Sequence, residues 1–143
     1  MNIGIVFYSK TGNTLSVAKK IQERLEKAGH AVNMEQIGIA EDKNKADIGQ
    51  YDLVIFGSPV RAFSASPVIK EYLNQLNEGN KQAYCFVTHF LPFKWMGGKS
   101  ALEQMKQFCK KKNIEVSKSG IISWSRNRET AIGKLADEFA KEA

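Results

Sequence analysis

Short apolar stretches alternate with longer amphipathic segments along the whole sequence. Five stretches have the length and composition of strands, at 3–7, 31–37, 53–56 and 83–88 and within 114–124. Four segments repeat apolar residues at helical spacing, at 15–28, 67–76, 99–112 and 128–143. Because strands and helices alternate, the pattern predicts an α/β fold.

The apolar positions also indicate which faces are buried. The stretch 53–56 is continuously apolar, which is typical of a strand covered on both faces in a parallel sheet. The stretch 31–37 alternates between apolar and polar residues, which indicates a half-exposed edge strand. We therefore expect one domain over residues 1–143, with a parallel sheet between two helical layers. One face of the first helix is predicted to be buried through Leu15, Ala18, Ile21, Leu25 and Ala28.

Three connections follow predicted strands at the same edge of this sheet. They are the segments 8–14, 57–66 and 89–98, after the first, third and fourth strands. Ligands of such folds bind beyond the carboxyl ends of the strands, where the strand order reverses. One ligand could therefore contact all three connections.

The first of these connections is the short polar turn Ser9-Lys10-Thr11-Gly12-Asn13-Thr14. A helix is predicted directly after it, and a helix N-terminus has unsatisfied N–H groups and about half a positive charge. The hydroxyl groups of the turn add donors, so the set suits a phosphate. An ordinary N-capping turn is the alternative. One cap needs one oxygen, whereas this turn offers several, so phosphate binding is the preferred interpretation.

The other two connections are unusually apolar for surface segments, which indicates that they cover something. Next to a phosphate-binding turn, they predict a ligand with an anionic tail and a flat apolar ring. Two alternatives are that these side chains close the top of the core or form a patch for a partner. The residues concerned are Val60, Ala62 and Phe63 in the first connection, and Phe90, Leu91, Phe93, Trp95 and Met96 in the second.

Composition narrows the class of protein. The 143 residues are 43% apolar, and no apolar run approaches the roughly 20 residues of a membrane helix. With 21 Lys and Arg against 15 Asp and Glu, the net charge is +6, which suggests an acidic partner. The basic residues are dispersed apart from Lys110-Lys111-Lys112, which end a predicted helix where cations favour the helix dipole. They form no base-reading motif, so we expect neither a nucleic acid nor a membrane as partner.

The two cysteines, Cys85 and Cys109, fall in a predicted strand and a predicted helix. With only two histidines in the chain, they give no metal-ligand spacing, so no metal site is expected. We expect two reduced thiols in or beside the core. No basic segment followed by a long apolar stretch precedes the first strand, so we expect no secretory leader and a cytoplasmic location.

The turn after the first strand resembles the flavodoxin pattern Ser/Thr-x-Thr-Gly-Asn-Thr, which binds the phosphate of FMN. The alternation of five strands with helices and the segment Gly97-Gly98-Lys99-Ser100 before the third helix are also similar to that family. The last strand lacks the insertion of long-chain members, so the chain looks like a short-chain flavodoxin. The resemblance implies an α/β/α sandwich with five parallel strands in the order 2-1-3-4-5, and non-covalent FMN.

The resemblance also assigns positions. The phosphate would lie against Ser9, Lys10, Thr11, Gly12, Asn13 and Thr14. One side of the flavin ring would be covered by Ser58, Pro59, Val60, Arg61, Ala62 and Phe63. The other side would be covered by the stretch from Thr88 and His89 to Trp95, with Phe90 or Trp95 stacking on the ring. No side chain need act as an acid or base, since the flavin does the chemistry.

The chain departs from the family in two ways that bear on redox behaviour. Val60-Arg61-Ala62 stands where many flavodoxins have Trp-Gly, whose peptide flips to stabilise the one-electron-reduced flavin. A positive φ without glycine costs on the order of 1 kcal/mol or more, so we expect less of this stabilisation. Flavodoxins are usually acidic, whereas this site is expected to include the cations Lys10, Arg61, His89, Lys94 and Lys99. Cations stabilise a reduced anionic flavin, so its potential should be less negative.

Several functions therefore compete. The preferred one is a monomeric FMN electron-transfer protein with an acidic redox partner. The second is a small FMN-dependent NAD(P)H or quinone oxidoreductase working in two-electron steps, with Arg61 or His89 neutralising the product. A phosphate-binding module without flavin is the third. Tyr8-Ser9 and Gly57-Ser58 stand where a receiver domain needs acidic residues. The turn also lacks both the Cys and Arg of a phosphatase loop and a dinucleotide-binding Gly-x-Gly-x-x-Gly.

Overall fold

A computed structural model describes residues 1–38, 47–61, 64–77, 79–89, 97–123 and 127–143. The elements alternate as the hydrophobic pattern predicts. In chain order they are β1 (Asn2–Phe7), α1 (Asn13–Lys27), β2 (Ala31–Gln36), β3 (Leu53–Arg61), β4 (Ser64–Ala65), α2 (Pro67–Gln75), β5 (Lys81–His89), α3 (Gly98–Lys111), β6 (Ile114–Ser123) and α4 (Arg128–Glu142).

The main sheet has the order β2-β1-β3-β5-β6, and all its neighbouring strands are parallel. When the two-residue strand β4 is set aside, this is the predicted order 2-1-3-4-5, and β2 is the predicted edge strand. The prediction of five strands missed β4, which pairs antiparallel with the end of β3 through Val60–Ala65 and Arg61–Ser64. A strand of two residues is too short to give a period of its own.

The third strand is longer than predicted. The segment from Gly57 was expected to be a connection, because Gly, Ser and Pro in succession are typical of turns. In the structure β3 continues to Arg61, and its pairing with β5 extends to Pro59 opposite Thr88. Packing against Phe86 explains the glycine at position 57, because a Cβ there would lie 2.2 Å from Cζ of Phe86. Ser58 to Arg61 therefore belong to the sheet edge.

Helices cover the sheet on both faces, and each face has its own buried cluster. The cluster under α2 and α3 includes Phe56, Leu73 and Met105, and the cluster under α1 and α4 includes Ile21, Phe86 and Phe139. The predicted face of α1 was nearly right. Ala28 is exposed, however, because it is the C-terminal cap, and the buried Val17 was not predicted.

Both cysteines are free and buried, as expected. Within the described residues, no group of His, Cys, Asp and Glu side chains is arranged to hold a metal ion. No helix in this part of the chain is both long enough and apolar enough to cross a membrane.

Candidate functional site

A cleft of about 290 Å³ lies at the carboxyl ends of β1, β3 and β5. These strands are neighbours in the sheet, so the segments that follow them meet at one edge. The cleft brings together residues from all three predicted connections. Its lining consists of Lys10, Thr11, Asn13, Thr14, Pro59, Val60, Arg61, Thr88, His89, Ile122 and Arg128.

A larger cleft, of about 550 Å³, lies at the opposite edge, beside the starts of β5 and β6. It is lined by residues such as Lys81, Lys106 and Asn113 and contains none of the predicted site residues. The smaller cleft is the better candidate, because ligands of parallel α/β sheets bind at the carboxyl ends of the strands.

The polar turn enters α1 through a left-handed glycine. Gly12 has a φ of 89°, a conformation that side chains disfavour, and a Cβ there would meet no atom within 4 Å. The hydroxyl oxygen of Ser9 accepts hydrogen bonds from the backbone N–H groups of Gly12 (3.1 Å) and Leu15 (3.2 Å). Ser9 and Gly12 therefore shape the turn from just outside the cleft lining.

Each hydroxyl of the turn also has a partner within the protein. Thr11 Oγ1 accepts a hydrogen bond from Asn13 Nδ2 at 3.2 Å, and Thr14 Oγ1 lies 2.8 Å from Thr88 Oγ1. A hydroxyl that accepts a bond keeps its hydrogen for donation. In these bonds Ser9 and Thr11 are acceptors, so both remain able to donate to an anion. The donor set of the turn fits a phosphate group.

The end of β3 forms one wall of the cleft through Pro59, Val60 and Arg61. Ser58, predicted with them, is fully buried and is not among the lining residues. Its hydroxyl donates to the carbonyl oxygen of Pro59 at 2.9 Å and accepts from the N–H of Ser66 at 3.0 Å. Through the bond from Ser66, the N-cap of α2, Ser58 connects the end of β3 to the start of that helix and so helps to hold this wall in place.

The end of β5 forms the facing wall. Thr88 and His89 both line the cleft and are buried, with exposed fractions of 6% and 4%. Four other predicted residues, Ala62, Phe63, Phe90 and Trp95, lie outside the described residues, as do Leu91, Phe93, Lys94 and Met96. Lys99, expected near the site, is exposed in the first turn of α3 and does not line the cleft.

The cleft is cationic. Its lining includes Lys10, Arg61 and Arg128, and none of the lining residues in the described part of the chain is a carboxylate. Lys10 and Arg61 are exposed to solvent. Positive charge at the N-terminus of α1 favours an anionic ligand. Apolar surface from Pro59, Val60 and Ile122 could accommodate a flat ring beside the anion site.

Sequence reasoning missed two lining residues. Ile122 was predicted only as part of the last strand, and Arg128 only as the start of the last helix. The guanidinium of Arg128 reaches the first turn of α1, where Nη2 lies 3.1 Å from Ser16 Oγ and 3.3 Å from Asn13 Oδ1. No local pattern identifies this residue, because the contact joins positions 115 residues apart.

Comparisons with known proteins agree with the fold. The model of the Flavodoxin domain family matches residues 4–122. No curated protein sequence matches the chain. Oxidised Flavodoxin 2 from Bacillus cereus is similar over 100% of both chains, with a TM-score of 0.80 and 18% identity.

Two other solved structures give the same result. Oxidised Flavodoxin 1 from Bacillus cereus has a TM-score of 0.77 at 16% identity, covering 100% of this chain and 99% of that one. Two-electron reduced flavodoxin from Megasphaera elsdenii has a TM-score of 0.75 at 22% identity, covering 97% of this chain and 98% of that one. At these identities the likeness is one of fold.

Proposed function

The chain belongs to the flavodoxin family, whose cofactor is FMN, and on that premise we propose that it transfers electrons to a partner protein through non-covalent FMN. The observation that carries the proposal is the meeting of the turn 10–14 with the ends of β3 and β5 in one cleft. A phosphate-binding turn alone would fit many ligands. Its position beside a partly apolar cleft favours a phosphate joined to a flat ring.

In this proposal the turn Ser9–Thr14 holds the phosphate. Thr11 and Ser9 donate their hydroxyl hydrogens, and the N–H groups of the first turn of α1 supply further donors. The end of β3 would cover one side of the ring through Pro59, Val60 and Arg61, and the end of β5 would cover the other through Thr88 and His89. Bound FMN supplies the redox chemistry, exchanging electrons one or two at a time. The protein orients it, excludes water through Pro59 and Val60, and sets the local charge.

A second candidate is a small FMN-dependent oxidoreductase that works in two-electron steps on a quinone or a similar acceptor. Two features favour it. Val60 and Arg61 stand at the end of β3 without a glycine, and cations line the cleft with no carboxylate among the described lining residues. Arg61 and His89 would then neutralise negative charge that forms during reduction.

We also propose that the chain acts as a monomer and that its redox partner presents an acidic surface. The net charge of +6 and the exposed Lys10 and Arg61 at the cleft support complementary docking to such a surface. Docking of this kind weakens with ionic strength. Electron transfer to an acidic carrier should therefore slow as salt is raised.

Stepwise anaerobic reduction of the FMN-loaded protein, followed by its visible spectrum, tests both functions. Retained FMN supports the family function, and loss of FMN on gel filtration contradicts it. A coloured one-electron species that accumulates during the titration favours the carrier, and direct bleaching favours the two-electron enzyme. Oxidation of NAD(P)H coupled to reduction of a quinone distinguishes the two functions independently. An electron carrier alone should show no rate above that of free FMN.

A further inference from the structure

The short strand β4 is anchored to α3 by one side chain. Oε1 of Gln104 accepts a hydrogen bond from the backbone N–H of Ala65 at 3.0 Å. Gln104 belongs to α3 and Ala65 to β4, so the bond joins two elements through positions 39 residues apart. Ala65 is fully buried, with an exposed fraction of 0%. A backbone N–H inside a protein needs a hydrogen-bond partner, and Gln104 supplies it.

The anchored strand supports the cleft wall at the end of β3. β4 pairs antiparallel with β3 through Val60–Ala65 and Arg61–Ser64, and both Val60 and Arg61 line the cleft. The residue that Gln104 binds is therefore the direct strand partner of a lining residue. Because β4 has only two residues, its pairing with β3 is marginal by itself. Bonds from other elements therefore decide where this wall lies.

Two further bonds hold the same short segment. Lys70 Nζ, in α2, donates to Ser64 Oγ at 3.2 Å, and the N–H of Ser66 donates to Ser58 Oγ at 3.0 Å. These bonds connect the segment to α2 and to β3. Gln104 connects it to α3, so three elements fix the position of β4.

We propose that Gln104 is a positioning residue for the flavin site, which fixes, through Ala65 and Val60, the wall against which the ring of FMN lies. This inference rests on the proposed function. Gln104 is not among the residues that line the cleft, so it acts through β4 and not by contact with the ring. Without its bond the wall should sample more positions, and only part of the protein would be ready to bind the ring. The measured affinity falls in proportion to that part.

The ring of the flavin, and not its phosphate, should sense this change. FMN and riboflavin share the same ring, and only FMN carries the phosphate. Loss of the Gln104 bond should therefore weaken the binding of both flavins by the same factor. A looser wall also admits water to the ring, so the visible spectrum of the bound flavin should move toward that of free flavin.

The test is to titrate FMN and riboflavin separately into wild type and Gln104→Met, following flavin fluorescence, and to record the visible spectrum of each complex. Methionine keeps the length of the side chain and suits a helix, but its sulfur is only a weak acceptor. Gln104→Glu restores an acceptor oxygen at the same reach. Gln107→Met and Gln107→Glu are the matched controls, because they make the same changes at an exposed position of the same helix. Circular dichroism and urea denaturation report whether the fold is retained.

We expect Gln104→Met to bind both flavins roughly 5- to 100-fold more weakly, the range for leaving a buried N–H without a partner. Gln104→Glu should recover most of the affinity. Both Gln107 variants should bind the flavins like wild type.

Three outcomes would overturn the inference while leaving the proposed function intact. The first is wild-type affinity and spectrum in Gln104→Met, which would make the bond a structural link between α3 and β4 alone. The second is a loss of affinity for FMN only, which would place the effect at the phosphate. The third is a loss that Gln104→Glu does not recover, because the acceptor oxygen would then not be the cause.

A second variant keeps the test decisive if Gln104→Met does not fold. Gln104→Asn retains an amide but is one methylene shorter, so it cannot keep the 3.0 Å bond to Ala65 from the same backbone position. It should weaken both flavins equally, and wild-type affinity in this variant would contradict the inference. Failure of the wild-type protein to bind FMN would instead contradict the proposed function itself.

Discussion

Thr14 Oγ1 lies 2.8 Å from Thr88 Oγ1, which links the first turn of α1 to the end of β5 across 74 residues of sequence. Both residues are buried, with exposed fractions of 1% for Thr14 and 6% for Thr88. The hydrogen bond therefore ties the polar turn to the facing wall of the cleft. It also explains why two small hydroxyl residues occupy buried positions at this edge of the sheet.

We expect Thr14→Val and Thr88→Val each to lower the free energy of unfolding by about 1–3 kcal/mol, because each leaves the other hydroxyl buried without a partner. The double variant should regain most of this loss, since it buries no unpaired hydroxyl. Urea denaturation of the four proteins without FMN measures the coupling. Losses that simply add in the double variant would show that the two hydroxyls do not depend on each other.

Gly12 and Gly133 make a second test, because a Cβ would meet no atom within 4 Å at either position. They differ in backbone conformation. Gly12 has a φ of 89°, whereas Gly133 lies within α4. Gly12→Ala should therefore destabilise the protein by about 1–2 kcal/mol. Gly133→Ala should stabilise it by about 0.5–1 kcal/mol, as alanine does in helices.

Thermal unfolding of both variants checks this pair, and opposite signs are the expected result. Gly12→Ala should also weaken FMN binding, because the left-handed residue directs the turn into α1. Stabilisation by Gly12→Ala would mean that the turn does not require the left-handed conformation.

The elements of this fold were predictable where their sequence has a clear period. The continuously apolar stretch 53–56 and the amphipathic spacing of the four helices correctly predicted the layers, whereas the strand order was implied only by the resemblance to flavodoxins. The end of β3 was not predictable, because Gly57-Ser58-Pro59 has the composition of a turn while its conformation is set by pairing with β5. Local composition favoured a loop, and tertiary pairing overrode it.

In the candidate site too, residues that are consecutive in the sequence were predictable, and positions set by tertiary packing were not. The polar turn was identifiable because its residues are consecutive, and the structure places it beside the predicted ends of β3 and β5. Ser58 was predicted to cover the ligand, whereas it is buried within β3, which extends beyond the predicted strand, and its hydroxyl bonds to the backbone of Pro59 and Ser66. No sequence pattern identified Arg128 as a site residue, because its proximity to Asn13 depends on how α4 packs against α1.

Stability should fall at alkaline pH because of the buried thiol of Cys85. A hydrogen bond with Cys109, together with burial, raises the pKa of Cys85 well above its ordinary value of 9.0. Above about pH 9 the unfolded chain loses this proton while the native chain keeps it, so the free energy of unfolding decreases as pH rises. One such group contributes up to about 1.4 kcal/mol per pH unit. Its contribution is fully present below about pH 8.

Urea denaturation of wild type and Cys85→Ala between pH 7 and pH 10 isolates this effect. The variant should be less stable at pH 7, since it leaves a cavity, and the difference should shrink above pH 9. Burial also raises the pKa of Tyr72, whose ordinary value is 10.0, so a residual slope near pH 10 is expected in both proteins. A difference that stays constant across the range would show that Cys85 does not ionise on unfolding.

Arg61 should raise the potential of the two-electron couple. It is the last residue of β3, exposed and at the cleft, opposite Ser64 of β4 in the strand register. Reduction of bound FMN adds negative charge to the ring, and a nearby cation stabilises that charge. We expect Arg61→Gln to shift the midpoint potential by tens of millivolts to more negative values, because exposure to solvent screens the interaction without abolishing it.

Spectroscopic redox titration with reference dyes measures this shift, and three comparisons give it meaning. Arg61→Lys keeps the charge and should stay near the wild-type potential. Lys134→Gln removes a charge from an exposed position of α4 that does not line the cleft, and it controls for net charge. Raising the salt concentration should lower the wild-type potential toward that of Arg61→Gln. An unchanged potential in Arg61→Gln would mean that Arg61 does not stabilise the reduced flavin, and it would remove one of the two observations that favour the two-electron enzyme.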